Sequence, residues 1–111
     1  MVKSKWLTLI LNGIKDLEIR DKPGKTVLGK RIFLCESGTA SVYGYATVDE
    51  VLGPLSEQDW IRLRKRHCVQ GGRIYKKDNY AWVLSGVTRC HQTRIKRKLG
   101  SVGSQVGPGH P

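Results

Sequence analysis

Between Ala40 and Glu50 the chain alternates in character residue by residue. Val42, Gly44, Ala46 and Val48 fall on one face, and Tyr43, Tyr45, Thr47 and Asp49 on the other. A period of two over this length is the pattern of a β-strand with one buried face. That face carries almost no side chain at Gly44 and Ala46. A helix or another backbone must therefore approach the strand closely there. Any fold open to this chain is built on a sheet with a tight contact against that strand.

The flanking segments are short and well punctuated. Trp6, Leu9, Ile10 and Gly13 are spaced as one stripe of a helix, which predicts a helix over about 5–12 with Ser4 as its cap and Gly13 as its stop. Leu17 and Ile19 alternate with Asp16, Glu18 and Arg20, the mark of a half-buried strand. Pro23-Gly24 predicts a turn, because proline presets φ and glycine accepts the positive φ that follows. Arg31 to Cys35 reads as a strand, joined to the Ala40–Glu50 strand through a hairpin at residues 36–39.

Gly53-Pro54 then breaks the pattern. Ser56 and Asp59 have capping-box spacing, so a helix from Glu57 to Arg66 should bury Trp60 and Leu63. Arg73 to Asn79 reads as a basic loop or edge strand, and Tyr80 to Leu84 as a strand around Trp82. Arg89 to Lys98 fits either a surface loop or an exposed strand. No internal repeat is present. This order predicts a mainly β (α+β) domain: a small closed or partly open β-barrel with two helices, over residues 1–106. The Gly- and Pro-rich residues 107–111 are expected to be a flexible tail.

Charge divides the chain. The formal net charge is +11. Residues 1–59 carry eight Lys/Arg and eight Asp/Glu, whereas residues 60–111 carry twelve Lys/Arg against Asp78 alone. Ordinary surfaces mix both signs. An excess confined to half a small domain is the electrostatic footprint of a polyanion partner. Arg62, Arg64, Lys65 and Arg66 form its first cluster, and Arg73, Lys76 and Lys77 its second. Arg89, Arg94, Lys96, Arg97 and Lys98 form the third. A solvated face is the plainer reading of each run alone.

Other classes recede. Cys35, Cys68 and Cys90 are odd in number and widely spaced, which argues against a disulfide framework. His67-Cys68 and Cys90-His91 offer zinc-type donors, but adjacent residues rarely both reach one tetrahedral ion. No metal or other cofactor is therefore expected. The apolar run Trp6–Leu11 is too short for a secretory signal or a membrane span, which points to a cytoplasmic or nuclear protein. Walker A, G-x-S-x-G and H-E-x-x-H motifs are absent.

The segment Gly13-Ile14-Lys15-Asp16-Leu17-Glu18-Ile19-Arg20 carries a family resemblance. A short helix ending in G-x-K-x-x-E-x-R and running into a strand resembles the start of an ASCH domain, in the PUA-like superfamily. Gly29-Lys30-Arg31-Ile32, Val42 to Ala46, Ser56 to His67, Tyr80 to Leu84 and Arg97 to Val102 resemble later segments in the same order. The likeness spans residues 5–106. It implies a PUA-like small β-barrel with a cleft near the first helix and strand, and an association with RNA. One branch of the family hydrolyses N4-acetylcytidine with a Lys, a Thr three residues later and a Glu. Lys15 matches that Lys, but Glu18 stands at the Thr position. Glu50 or Asp49 is the candidate for the downstream carboxylate.

Lys15, Glu18 and Arg20 are thus the expected nucleotide-cleft residues, with Tyr43 and Tyr45 as stacking partners. A structural ion pair between helix and strand is the plainer reading of Lys15 and Glu18. The functional expectation is a monomeric domain that binds RNA, preferentially single-stranded because exposed bases can stack, with DNA a possible competitor. The alternative is a metal-independent ribonuclease or modified-nucleoside hydrolase in which Lys15 stabilises negative charge and Glu18 is the general base. An acidic protein partner for the basic half is a third reading.

Overall fold

Seven elements follow one another along the chain in the computed structural model, which describes residues 2–94 and side chains as far as residue 91. They are α1 (Ser4–Leu11), β1 (Leu17–Arg20), β2 (Arg31–Glu36), β3 (Ser41–Leu52), α2 (Glu57–Arg62), α3 (Arg64–His67) and β4 (Tyr80–Arg94). The strands form one antiparallel sheet in the order β1-β4-β3-β2. β3 and β4 are 12 and 15 residues long, and their pairing shifts register three times. Each shift adds local twist. The sheet curls as a result into a half-barrel, giving the mainly β architecture expected.

The small face of β3 does what its composition requires. A Cβ at Gly44 would lie 2.2 Å from the Thr88 carbonyl oxygen on β4 and 3.1 Å from Leu11 Cδ2 on α1. Strand and helix therefore both close on the same point. The Pro23-Gly24 turn is equally constrained. Gly24 has φ +61°, and a Cβ there would meet the Trp82 ring at 2.4 Å, whose indole N–H donates to the Lys22 carbonyl at 3.0 Å.

Two cores result. One lies beneath α1 and includes Leu7, Ile10, Leu34, Val48, Trp82 and Leu84. The other joins β1 to α2 and α3 through Leu17, Ile19, Trp60, Leu63, Val69 and Ala81. Trp6 packs against both.

Several sequence expectations need correction. Ser4 is not the cap of α1. The Leu7 N–H already bonds to the Lys3 carbonyl, so Lys3 is the N-cap, and it makes no side-chain cap bond. The cause lies just before the helix. Val2 is pinned to β2 by bonds to the Cys35 carbonyl and from the Ser37 N–H, so the chain turns one residue early.

The helix expected over 57–66 is two helices, making three rather than two in all. Its start is as read, with both halves of the Ser56–Asp59 capping box formed. It breaks at Leu63. The break brings the His67 ring onto Trp60, with centroids 4.0 Å apart. In one continuous helix, residues seven apart are separated by roughly 10 Å along the axis.

Residues 73–79 form a loop, and β4 runs on through the basic stretch as far as Arg94. Lys96, Arg97, Lys98 and the tail expected at 107–111 lie outside the described residues, as does the side chain of Arg94. No helix among the described residues is long and apolar enough to cross a membrane.

Candidate functional site

β1 is only four residues long, but its alternation sets up the site. Leu17 and Ile19 enter the second core, and Glu18 and Arg20 project together from the strand. Lys15 arrives from the turn after α1. Gly13 ends that helix with φ +77°, and the N–H groups of Ile14 and Lys15 both bond to the Leu9 carbonyl. The turn sends the Lys15 side chain inward, leaving the residue 1% exposed.

The three charges form a row. Lys15 Nζ lies 3.9 Å from Glu18 Oε1, and Arg20 Nε lies 3.5 Å from Glu18 Oε2. Lys15 also donates to the backbone carbonyl of His67 and sits 5.0 Å from the centroid of the Trp6 ring. Burial pushes the Lys15 ammonium down from its usual pKa, and the charge of Glu18 works against that shift. Burial likewise pushes the Glu18 carboxyl up, opposed first by Arg20 and then by Lys15. The two groups are thus drawn toward each other in pKa by desolvation.

These residues line a cleft of about 270 Å³. Lys3, Lys5, Trp6 and Ser37 also line it. Val69, Ile74 and Tyr75 contribute further lining. Tyr75 is held in place by the buried Asn79 side chain, which accepts from the Tyr75 N–H and donates to the Tyr75 carbonyl, both at 2.9 Å. Arg73 anchors the loop further by donating to the Leu55 carbonyl. Ile74 is 45% exposed despite being apolar.

The ASCH domain family model matches residues 1–94. The chain belongs to the ASCH family. The fold is similar to that of ASCH from Zymomonas mobilis, with a TM-score of 0.72 at 16% sequence identity, covering 85% of this chain and 70% of that one. A serine-to-alanine variant of the Zymomonas mobilis protein matches with a TM-score of 0.66, at 17% identity over 84% of this chain and 70% of that chain. A tyrosine-to-phenylalanine variant gives 0.56, at 16% identity over 85% and 72%. No curated protein matches the sequence significantly.

Of the ASCH chain's expected cleft residues, Lys15, Glu18 and Arg20 come together and Tyr43 and Tyr45 stand apart. Tyr43 packs on the first core with its hydroxyl 3.4 Å from Glu36 Oε1. Tyr45 lies beneath the Arg31 guanidinium. The aromatic residues that line the cleft are Trp6 and Tyr75.

The basic cluster on α2 and α3 is largely engaged within the protein. Arg62 pairs with Asp59, and Arg64 donates to the carbonyls of Val69 and Gly71. Arg66 grips Asp16 through two nitrogens, Nε to Oδ1 at 3.0 Å and Nη2 to Oδ2 at 3.1 Å. Arg89 donates to the Asn12 side chain. Lys65, Lys76 and Lys77 are exposed, as are Asp49 and Glu50.

His67 has both ring nitrogens in use. Nδ1 accepts from the Val69 N–H at 3.0 Å, so the proton resides on Nε2, which donates to the Trp60 carbonyl at 2.8 Å. Burial depresses its pKa.

Lys3, Lys5 and Ile74 were not singled out from the sequence. The balanced charge of residues 1–59 concealed the two lysines. Their one visible signal is Lys-x-Lys-Trp, a basic pair running into an aromatic at the mouth of α1.

Proposed function

We propose that this ASCH protein binds single-stranded RNA and seats one unpaired nucleotide in the cleft. The observation that carries this reading is the row of Lys15, Glu18 and Arg20 lining one cleft together with Lys3, Lys5, Trp6 and Tyr75. Ligand pockets commonly run from about 300 Å³ upward, so a cleft of this size suits one base rather than a duplex. A flipped or unpaired base is read on its edge by polar groups and gripped on its faces by aromatic and apolar ones. Lys3 and Lys5 supply charge for the adjoining phosphates. The excess charge of the second half adds long-range attraction.

The test is a titration of fluorescently labelled single-stranded RNA at several salt concentrations, with DNA of the same sequence as competitor. Affinity that falls steeply with salt is the expected result. A denaturing gel at the end point should show intact RNA.

Hydrolysis is the second reading, and the opposed shifts of Lys15 and Glu18 favour it, since acid–base pairs are tuned in this way. It lacks the hydroxyl that the N4-acetylcytidine branch uses, because Glu18 stands at that position. Cleavage on the same gel that disappears in Glu18→Gln would establish it in place of the binding reading.

A further inference from the structure

The two oxygens of Glu18 are poorly served by their neighbours. The residue is 8% exposed, and its cationic neighbours stand at 3.9 and 3.5 Å, beyond good hydrogen-bond distance. Glu18 accepts no hydrogen bond among the described residues. The carboxylate lines the cleft, so a ligand seated there can supply the donors that its neighbours do not. Its flanks narrow the choice. Along the row the site presents a donor (Lys15), two acceptors (Glu18 Oε1 and Oε2) and a donor (Arg20).

We propose that the cleft selects guanine. Guanine is the one common base that offers two adjacent N–H donors, at N1 and N2, with an acceptor on either side at O6 and N3. This sequence of groups is the complement of Lys15, the two Glu18 oxygens and Arg20. Uracil has a single N–H between two carbonyls, so its second carbonyl oxygen would face a carboxylate oxygen. Adenine and cytosine each place a ring nitrogen lone pair beside their one amino donor, which sets acceptor against acceptor. Selectivity then comes as much from repulsion of the wrong bases as from attraction of the right one. Trp6, Ile74 and Tyr75, which also line the cleft, offer the base apolar and aromatic surface that is indifferent to its identity. The assignment rests on the RNA-binding reading of the cleft.

The experiment uses uridine heptamers carrying guanine, inosine, adenine, cytosine or uracil at the central position, with free GMP and IMP titrated alongside. The guanine heptamer should bind about tenfold or more tightly than those with adenine, cytosine or uracil, the scale of one charged hydrogen bond. Inosine lacks the N2 amino group and should lose a similar factor. Glu18→Gln, with folding checked by its melting curve, should abolish the guanine preference. It should favour adenine instead, because an amide pairs with adenine through one donor and one acceptor.

Equal binding of all five heptamers by the unaltered protein would overturn the guanine assignment and leave RNA binding standing. Binding of GMP over IMP with no heptamer bound would uphold the guanine assignment and overturn the RNA reading. Absence of any binding at low salt would overturn both.

Discussion

Lys15 donates to the backbone carbonyl of His67, 52 residues further along the chain, and so ties the base of the cleft to α3. The link makes Lys15 structural as well as polar lining. In Lys15→Met, the buried Glu18 carboxylate loses one of its cationic neighbours and the His67 carbonyl loses this donor. Removing one partner of a buried charge pair costs about 3–5 kcal/mol, and urea denaturation should show a loss in that range. The double variant Lys15→Met, Glu18→Gln should recover part of it, since no lone carboxylate remains. A loss below about 1 kcal/mol in the single variant would mean the pair holds nothing together.

His67 should give the fold an acid-sensitive term. Its folded pKa is depressed below 6.5 by burial, and its Nδ1 is committed to accepting from Val69. Between the folded value and 6.5 the unfolded chain binds more protons than the folded one. Stability from His67 is therefore complete above about pH 6.5 and declines as pH falls through that window. Glu18 works in the opposite sense, because its folded pKa is raised above 4.5 and its contribution declines as pH rises. The difference between the native chain and His67→Gln isolates the histidine. Urea midpoints across about pH 5–7.5 should show that difference shrinking toward acid.

Gly44 and Gly13 are both required, for different reasons that one pair of substitutions separates. Gly13 has φ +77° and open space around it, so Gly13→Ala should cost about 1–2 kcal/mol from backbone strain alone. Asparagine visits that region readily, and Gly13→Asn should be milder than alanine. At Gly44 the obstacle is the Thr88 carbonyl, which is backbone and cannot swing aside. Gly44→Ala should cost about 1–3 kcal/mol or more by overpacking, and Gly44→Asn should be worse than alanine. Thermal melting of the four variants checks the ordering.

Local chemistry was legible in the sequence where it acts over a few residues. The period of two in β3, the capping box at Ser56 and the turn at Gly24 each depend on near neighbours, and each is found as read. The break at Leu63 was not legible, because it goes with the stacking of His67 on Trp60 across the turn, a contact between residues seven apart. In the site, Lys15, Glu18 and Arg20 were readable because one turn and one strand place them together. Lys3 reaches the same cleft through the pairing of Val2 with β2, and Ile74 through the loop that Asn79 holds. Neither long-range relation leaves a mark on the local pattern. The basic runs misdirected attention for a related reason: a run of arginines does not disclose which of them already grip Asp16, Asp59 or a carbonyl.

That last distinction gives the sharpest functional contrast between residues of like charge. Arg66 and Asp16 form a two-point ion pair at roughly half exposure, a geometry in which the pair contributes up to about 1 kcal/mol to stability. Arg66→Ala should lower the urea midpoint slightly and change RNA affinity little, because its guanidinium is already engaged. Lys3 and Lys5 line the cleft, and on the proposed reading they meet phosphates. Each phosphate contact on a single strand contributes about 0.7 to the slope of log affinity against log salt concentration. Lys3→Ala with Lys5→Ala should flatten that slope by about 1.4, weaken binding most at low salt and leave the guanine preference intact. Salt titrations of the two variants beside the unaltered chain measure both effects. If Arg66→Ala flattened the slope and the lysine pair did not, the phosphates would run over α3 rather than along the mouth of the cleft.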